Sequence, residues 1–248
     1  MKDNPVWRES LDIYFDEGHG FQVYFYMLVI LAPLEFLSLY VPSLDVQMWS
    51  GSASLFKVSV TAALLLMVYF TLRVANQEFA PWRFKRLKHW LRDQALPAAA
   101  VSRGQVRFLW VHVGLSLVLC APLLLWAGAI ARTPAALIAL TLLLLPFYAM
   151  SYGVWGLATL ALWERSIESR QVFIRSFFVC LVFLSALFYL PLNPVAFVLA
   201  LLSRQELPPL ALFGGPWSGA TIHLAFHFLV GAAGYAVHRW ALAREPLS

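Results

Sequence analysis

The sequence predicts an all-α membrane protein of six transmembrane helices. An N-terminal interfacial elbow helix, a cytoplasmic amphipathic helix and a short re-entrant segment before the last span complete it. Three observations predict this class. Of the 248 residues, 61% are hydrophobic and only 12% are charged, which excludes an ordinary soluble domain. The chain has room for about six apolar runs of about 20 residues with short connections, so one membrane domain covering 1–248 is expected. Once the runs are threaded alternately across a bilayer, only Lys57, Arg132 and Arg204 fall outside and every other lysine and arginine falls inside. That asymmetry places both termini in the cytoplasm, and a bacterial inner membrane is the expected location. The net charge of +5 lies beside membrane spans, where retention of basic residues accounts for it, so nucleic acid is not an expected partner.

Taken in order, Pro5 to Glu17 sets Trp7, Leu11, Tyr14 and Phe15 among acids, the pattern of a short helix lying at the interface and ended by Gly18 and Gly20. The acidic start lacks the basic region of a cleaved leader, so the first span is expected to persist. Spans are expected at about 21–41, 55–74, 106–129, 135–163, 172–190 and 218–243. The loop 42–54 has no lysine or arginine and belongs outside. Pro122 is placed to kink the third span. The fourth run is longer than one crossing needs, which implies tilt, kinking or extension into the cytoplasm. After the fifth run, Pro191-Leu192-Asn193-Pro194 breaks the chain, and Val195 to Leu202 is apolar but too short to cross, as a re-entrant half-helix would be. Gly214-Gly215-Pro216 reads as a turn. The pairs Gly153/Gly156 and Gly231/Gly234 offer close helix contacts.

The cytoplasmic segment 81–105 is the longest interruption between apolar runs. Wound as a helix, it gathers Phe84, Leu87, Trp90 and Leu91 on one side, with Arg83, Lys85, Arg86, Lys88 and Arg92 over the rest. Two readings fit that face: a helix resting on anionic headgroups, or a docking surface for a soluble partner.

Chemistry-bearing residues are few. Glu35 is a carboxylate inside a span, which makes it a candidate proton or substrate-cation site; snorkelling outward or pairing with Lys57 or Arg132 is the alternative. His223 and His227, at i and i+4, have a spacing that suits a metal, although bonding to neighbouring helices is the plainer reading. A haem or redox role, for this chain or as an accessory subunit, would draw on His112, His223, His227 or His238, of which His112 and His238 match in depth. Phe147, Tyr152, Phe188 and Tyr189 are aromatic candidates for a pathway lining suited to amphiphiles. Cys120 and Cys180 lie in apolar runs and supply no disulfide or metal framework. The sequence contains no Gly-Lys dipeptide and hence no phosphate-binding loop, and no Gly-x-Ser-x-Gly or His-Glu-x-x-His, so no catalysis by this chain itself is expected.

The order of parts across nearly the whole chain resembles a type-2 ABC exporter permease, the membrane subunit that works with a separate ATP-binding chain. The elbow, two spans, the basic 81–105 segment, the long fourth span ending in Glu164 to Arg170, and the broken piece before the last span carry the likeness. Leu96-Pro97-Ala98 and Val101-Ser102-Arg103-Gly104 are similar to a Leu-x-x-Pro and Gly-Lys stretch of such permeases, with Gln105 where lysine is common. The resemblance implies two permease subunits, identical or not, bound to two ATPases, with ATP and Mg held by those partners and no cofactor on this chain. It further implies that 81–105 is a coupling helix, with Phe84, Leu87, Trp90 and Leu91 as apolar contacts to the ATPase and Arg83, Arg86 and Arg92 as a charged rim. Glu164 and Arg165 would form a second contact.

Overall fold

The computed structural model describes the backbone of residues 4–16, 19–40, 53–76, 96–163, 166–188, 190–212 and 214–244. The helix α1 (Pro5–Asp16) starts where Asn4 caps it, its Oδ1 accepting from the Val6 N–H at 3.1 Å, with Pro5 at the first helical position. Val6, Ser10 and Tyr14, spaced four apart, form its buried stripe. Next come α2 (His19–Tyr40), α3 (Ala53–Asn76), α4 (Ala98–Ile130) and α5 (Ala135–Leu162). The helix α6 (Ile167–Val179) is capped by Ser166, which accepts from the Ser169 N–H. It passes through a π turn (Cys180–Leu184) into α7 (Ser185–Phe188) and a 3-10 turn (Leu190–Leu192). Finally α8 (Pro194–Leu202), the strands β1 (Leu210–Leu212) and β2 (Gly215–Trp217), and α9 (Gly219–Ala243) close the chain.

Four of these helices, 54–75, 98–130, 135–162 and 219–243, are long and apolar enough to cross a membrane. Large apolar side chains such as Leu143, Phe183, Leu187, Phe228 and Leu229 face outward from the bundle. This is a multi-pass, helical membrane protein. The helices that form the bundle alternate in direction. Glu35 and Tyr26 of α2 meet Ser59 and Phe70 of α3, so the two run antiparallel. Likewise Phe173 and Phe177 of α6 meet Trp163, Trp155 and Tyr152 of α5 in reverse order. By contrast, α3, α5 and α9 run parallel to one another. Close crossings made by small residues hold them: Gly153 and Gly156 lie on Thr71, Leu72 and Ala75 of α3, while Gly231 and Gly234 lie on Ser151 and Trp155. The central element is α5, buried almost without interruption from Tyr148 to Ala161.

Two expectations change. The third apolar run was expected to begin near 106, with 81–105 as a separate coupling segment; residues 98–105 instead form the first turns of a continuous 33-residue α4. Ala98, Ala99 and Ala100 are strong helix formers behind Pro97, and nothing between them and Arg107 stops the helix. The all-α expectation gives way to a small hairpin, with Leu210 opposite Trp217, Ala211 opposite Pro216 and Leu212 opposite Gly215. Gly214, at φ +81, makes its turn possible.

Two arginines stand where glycine is favoured. Each of α4 and α8 ends in a pair of backbone bonds, Thr133 N–H to Gly128 O and Arg132 N–H to Ala129 O, and Gln205 N–H to Ala200 O and Arg204 N–H to Leu201 O. These bonds hold Arg132 at φ 51 and Arg204 at φ 53, in the left-handed region that disfavours a Cβ. Arg132→Gly and Arg204→Gly are each expected to stabilise the protein by about 0.5–1 kcal/mol, read as a higher midpoint of thermal unfolding in detergent.

Candidate functional site

Two polar clusters are built into the apolar interior. The larger joins α5, α9 and the broken segment between α7 and α8. Tyr148 and Tyr152 are four residues apart on α5, and His223 and His227 are four apart on α9, so parallel packing brings them together in two matching rungs. The Tyr148 hydroxyl lies 2.5 Å from His223 Nε2, and the Tyr152 hydroxyl 2.6 Å from His227 Nδ1. Each imidazole reaches a main-chain carbonyl with its other nitrogen: His223 Nδ1 bonds Pro191 O, and His227 Nε2 bonds Leu192 O at 3.0 Å. A carbonyl only accepts, so those nitrogens carry the protons, and the remaining lone pairs accept from the tyrosines. As neutral imidazoles, the two rings are in opposite tautomers, His223 protonated at Nδ1 and His227 at Nε2. Phe197 of α8 stacks on His223 with ring centroids 3.9 Å apart.

Asn193 extends the cluster to the π turn. It is 2% exposed, donates from Nδ2 to Val182 O at 2.7 Å and to Ser185 Oγ at 2.9 Å, and accepts at Oδ1 from Ala196 N–H at 2.9 Å. A single amide thus caps α8 and ties it to the π turn.

The second cluster secures α1. Asn4 Nδ2 donates to Ala100 O at 2.7 Å, and the Tyr14 hydroxyl bonds both the Tyr24 hydroxyl and His112 Nδ1, the latter at 2.7 Å. Burial, then the neighbouring Tyr24, pushes the Tyr14 phenol above its usual value, so it remains a neutral hydrogen-bonding group. Gly104 of α4 completes the joint, for a Cβ there would stand 3.0 Å from Asn4 Nδ2 and 3.1 Å from Val6 Cβ.

Of the residues singled out from sequence, Tyr152, His223 and His227 are brought together, and Phe147 packs beside Tyr148. Glu35 lies elsewhere. It is 1% exposed on the stripe of α2 that includes Met27 and Leu31, beside Ser59 of α3 and near Cys120 of α4. His112 is engaged with Tyr14, and His238 lies at the Leu157 carbonyl. Among the described residues, no group of three or more His, Cys, Asp or Glu is placed to hold a metal ion. A metal or haem at His223 or His227 would also have to displace a phenol or a carbonyl from an engaged nitrogen.

The coupling-face residues Arg83, Phe84, Arg86, Leu87, Trp90, Leu91 and Arg92, the turn residues Glu164 and Arg165, and Tyr189 lie outside the described residues, as does the side chain of Phe188. Sequence reasoning missed Tyr148, Asn193, Tyr14 and Tyr24 as members of polar clusters. The repeated i, i+4 spacing of Tyr148/Tyr152 and His223/His227 was a usable signal for the first of them.

Comparisons with known proteins found no matching protein-family model, no matching curated protein and no matching solved structure.

Proposed function

We propose that this chain is the membrane-spanning permease subunit of an ATP-driven ABC exporter of a lipid, drug-like or other amphiphilic substrate. In this reading it pairs with a second permease subunit and with separate ATP-binding subunits that hold ATP and Mg. The observation that carries the reading is the rigid joint at one end of the bundle. In sequence the basic and amphipathic stretch 81–95 stands just before Leu96, Pro97 and α4, whose first turns are bonded and packed against α1 through Asn4, Val6 and Gly104. In this reading a push on that stretch would be received by one unbroken helix of about 50 Å.

Charge distribution supports the sidedness. Arg8, Arg103, Arg107 and Arg244 belong to the end of the bundle that carries α1, whereas Lys57, Arg132 and Arg204 belong to the other. In this reading the positive-inside rule favours α1 and both termini in the cytoplasm of a bacterial cell, with six crossings formed by α2, α3, α4, α5, α6–α7 and α9. In this scheme α1 is the elbow and α8 the re-entrant piece. Phe84, Leu87, Trp90 and Leu91 bind the ATPase within a rim of Arg83, Arg86 and Arg92, Glu164 and Arg165 make a second contact, and Glu35, Phe147, Tyr152, Phe188 and Tyr189 contribute to the pathway.

The test is affinity purification of the full chain from native membranes, with ATP-binding subunits identified by mass spectrometry. Leu87→Asp with Trp90→Asp is expected to lower their recovery at least tenfold while the permease itself is still recovered. Equal recovery would remove the docking face. A Soret band in the purified protein would replace the transport reading with a redox one.

A further inference from the structure

We propose that residues 190–202 form a gate, held shut by the tyrosine–histidine rungs and by Asn193. The inference concerns how one end of the bundle opens and does not depend on which partner drives it.

Where the chain leaves its helical path at Leu190–Leu192, the carbonyls of Pro191 and Leu192 need donors, and a bilayer offers no water to supply them. The donors come from outside the segment: His223 and His227 on α9, each in turn engaged by a tyrosine of α5. The backbone bonds of α8 stay within its own turns and caps, as in Phe197 N–H to Asn193 O and Ser203 N–H to Leu199 O. Side chains therefore make the hydrogen bonds that tether this segment to its neighbours among the described residues. Such bonds exchange singly, without unravelling any helix.

Against the segment is a small apolar cleft of about 10 Å³, walled by Leu64 and Val68 of α3, Leu181 and Val182 of the π turn, and Pro194 and Val195 of the segment itself. Tyr152 forms its floor while bonding His227, so the group that holds the gate also faces the space the gate covers. Lifting the segment would remove one wall of the cleft and expose two tyrosine hydroxyls and two imidazoles. The π turn, whose Val182 carbonyl accepts from Asn193, is the hinge.

Cysteine accessibility tests this in the full chain, reconstituted in lipid nanodiscs. In a background of Cys120→Ala and Cys180→Ser, a single cysteine is placed at Val198, which is 1% exposed on α8, or at Ala63, which is 0% exposed on α3. A water-soluble maleimide is expected to label Val198→Cys slowly but to completion, while Ala63→Cys stays protected. Adding Tyr148→Phe and Tyr152→Phe is expected to raise the rate at position 198 at least tenfold and leave position 63 protected. If the double variant does not fold, Tyr148→Phe alone is expected to give a smaller rise at 198 only. Complete protection of position 198 in the parent, an unchanged rate in the variants, or equal rises at both positions would make the rungs a fixed scaffold and overturn the proposal.

Discussion

Gly156→Leu is expected to destroy the bundle. A Cβ at Gly156 would stand 2.6 Å from the Leu72 carbonyl oxygen and 2.7 Å from Ala75 Cβ. The first of these belongs to a backbone locked in its own helix, so no rotamer change can clear it. To admit the side chain, α3 and α5 must separate along their whole crossing, which also lifts Gly153 from Thr71. Overpacking at a backbone contact costs about 3 kcal/mol or more, a large share of the stability of a domain this size. The measurement is the yield of monodisperse protein and its unfolding midpoint in detergent. Gly114→Leu is the control, because a Cβ there meets nothing within 4 Å, and it is expected to behave like the parent. Similar yields for both variants would mean that the α3–α5 crossing is not the tight contact described above.

Asn193→Leu is expected to have the next largest effect. Leucine matches asparagine in size but removes the donor to Val182 O and Ser185 Oγ and the acceptor for Ala196 N–H. Each buried polar group left without a partner costs about 1–3 kcal/mol, so a total of about 3 kcal/mol is expected. Asn193→Ser separates the two functions of the residue. Serine still caps α8 but is too short to reach Val182, and it is expected to lose about half as much. Hydrogen exchange over residues 180–196 locates the damage, with faster exchange expected at the π turn in both variants and at the start of α8 only in the leucine variant. If serine and leucine proved equivalent, capping would contribute nothing and the link to the π turn would carry the whole effect.

Much of the helical frame was legible because apolar runs and helices share boundaries wherever glycine, proline or charge interrupts both. The exceptions are instructive. At Ala98 to Arg107 the hydropathy falls while most residues still favour a helix, so a reading by hydropathy begins the span eight residues later than the helix begins. The pairs Gly153/Gly156 and Gly231/Gly234 were legible as close-packing positions, since small residues at such spacing have few other uses on an apolar helix. Which helix each pair meets was not, because partner choice depends on the arrangement of the whole bundle. The same limit hid the rungs. His223 and His227 were recognised as a pair, and Tyr152 as a candidate, and alternate threading makes the fourth and sixth spans parallel, but no local pattern says that α5 and α9 touch. The hairpin was hidden for another reason: its strands are three residues each, too short for alternation to register.

The length of α4 has one more consequence. A rod of 33 residues measures about 50 Å, whereas the hydrocarbon slab around it is about 30 Å thick, so close to 20 Å must project or be taken up by leaning. Shorter acyl chains bare more of the rod, and longer ones let it stand nearer upright. Because Asn4 and Tyr14 fasten α1 to this rod, the terminal helix is carried wherever its angle goes. Lipid chain length thereby becomes a mechanical input to the molecule, passed on to α1.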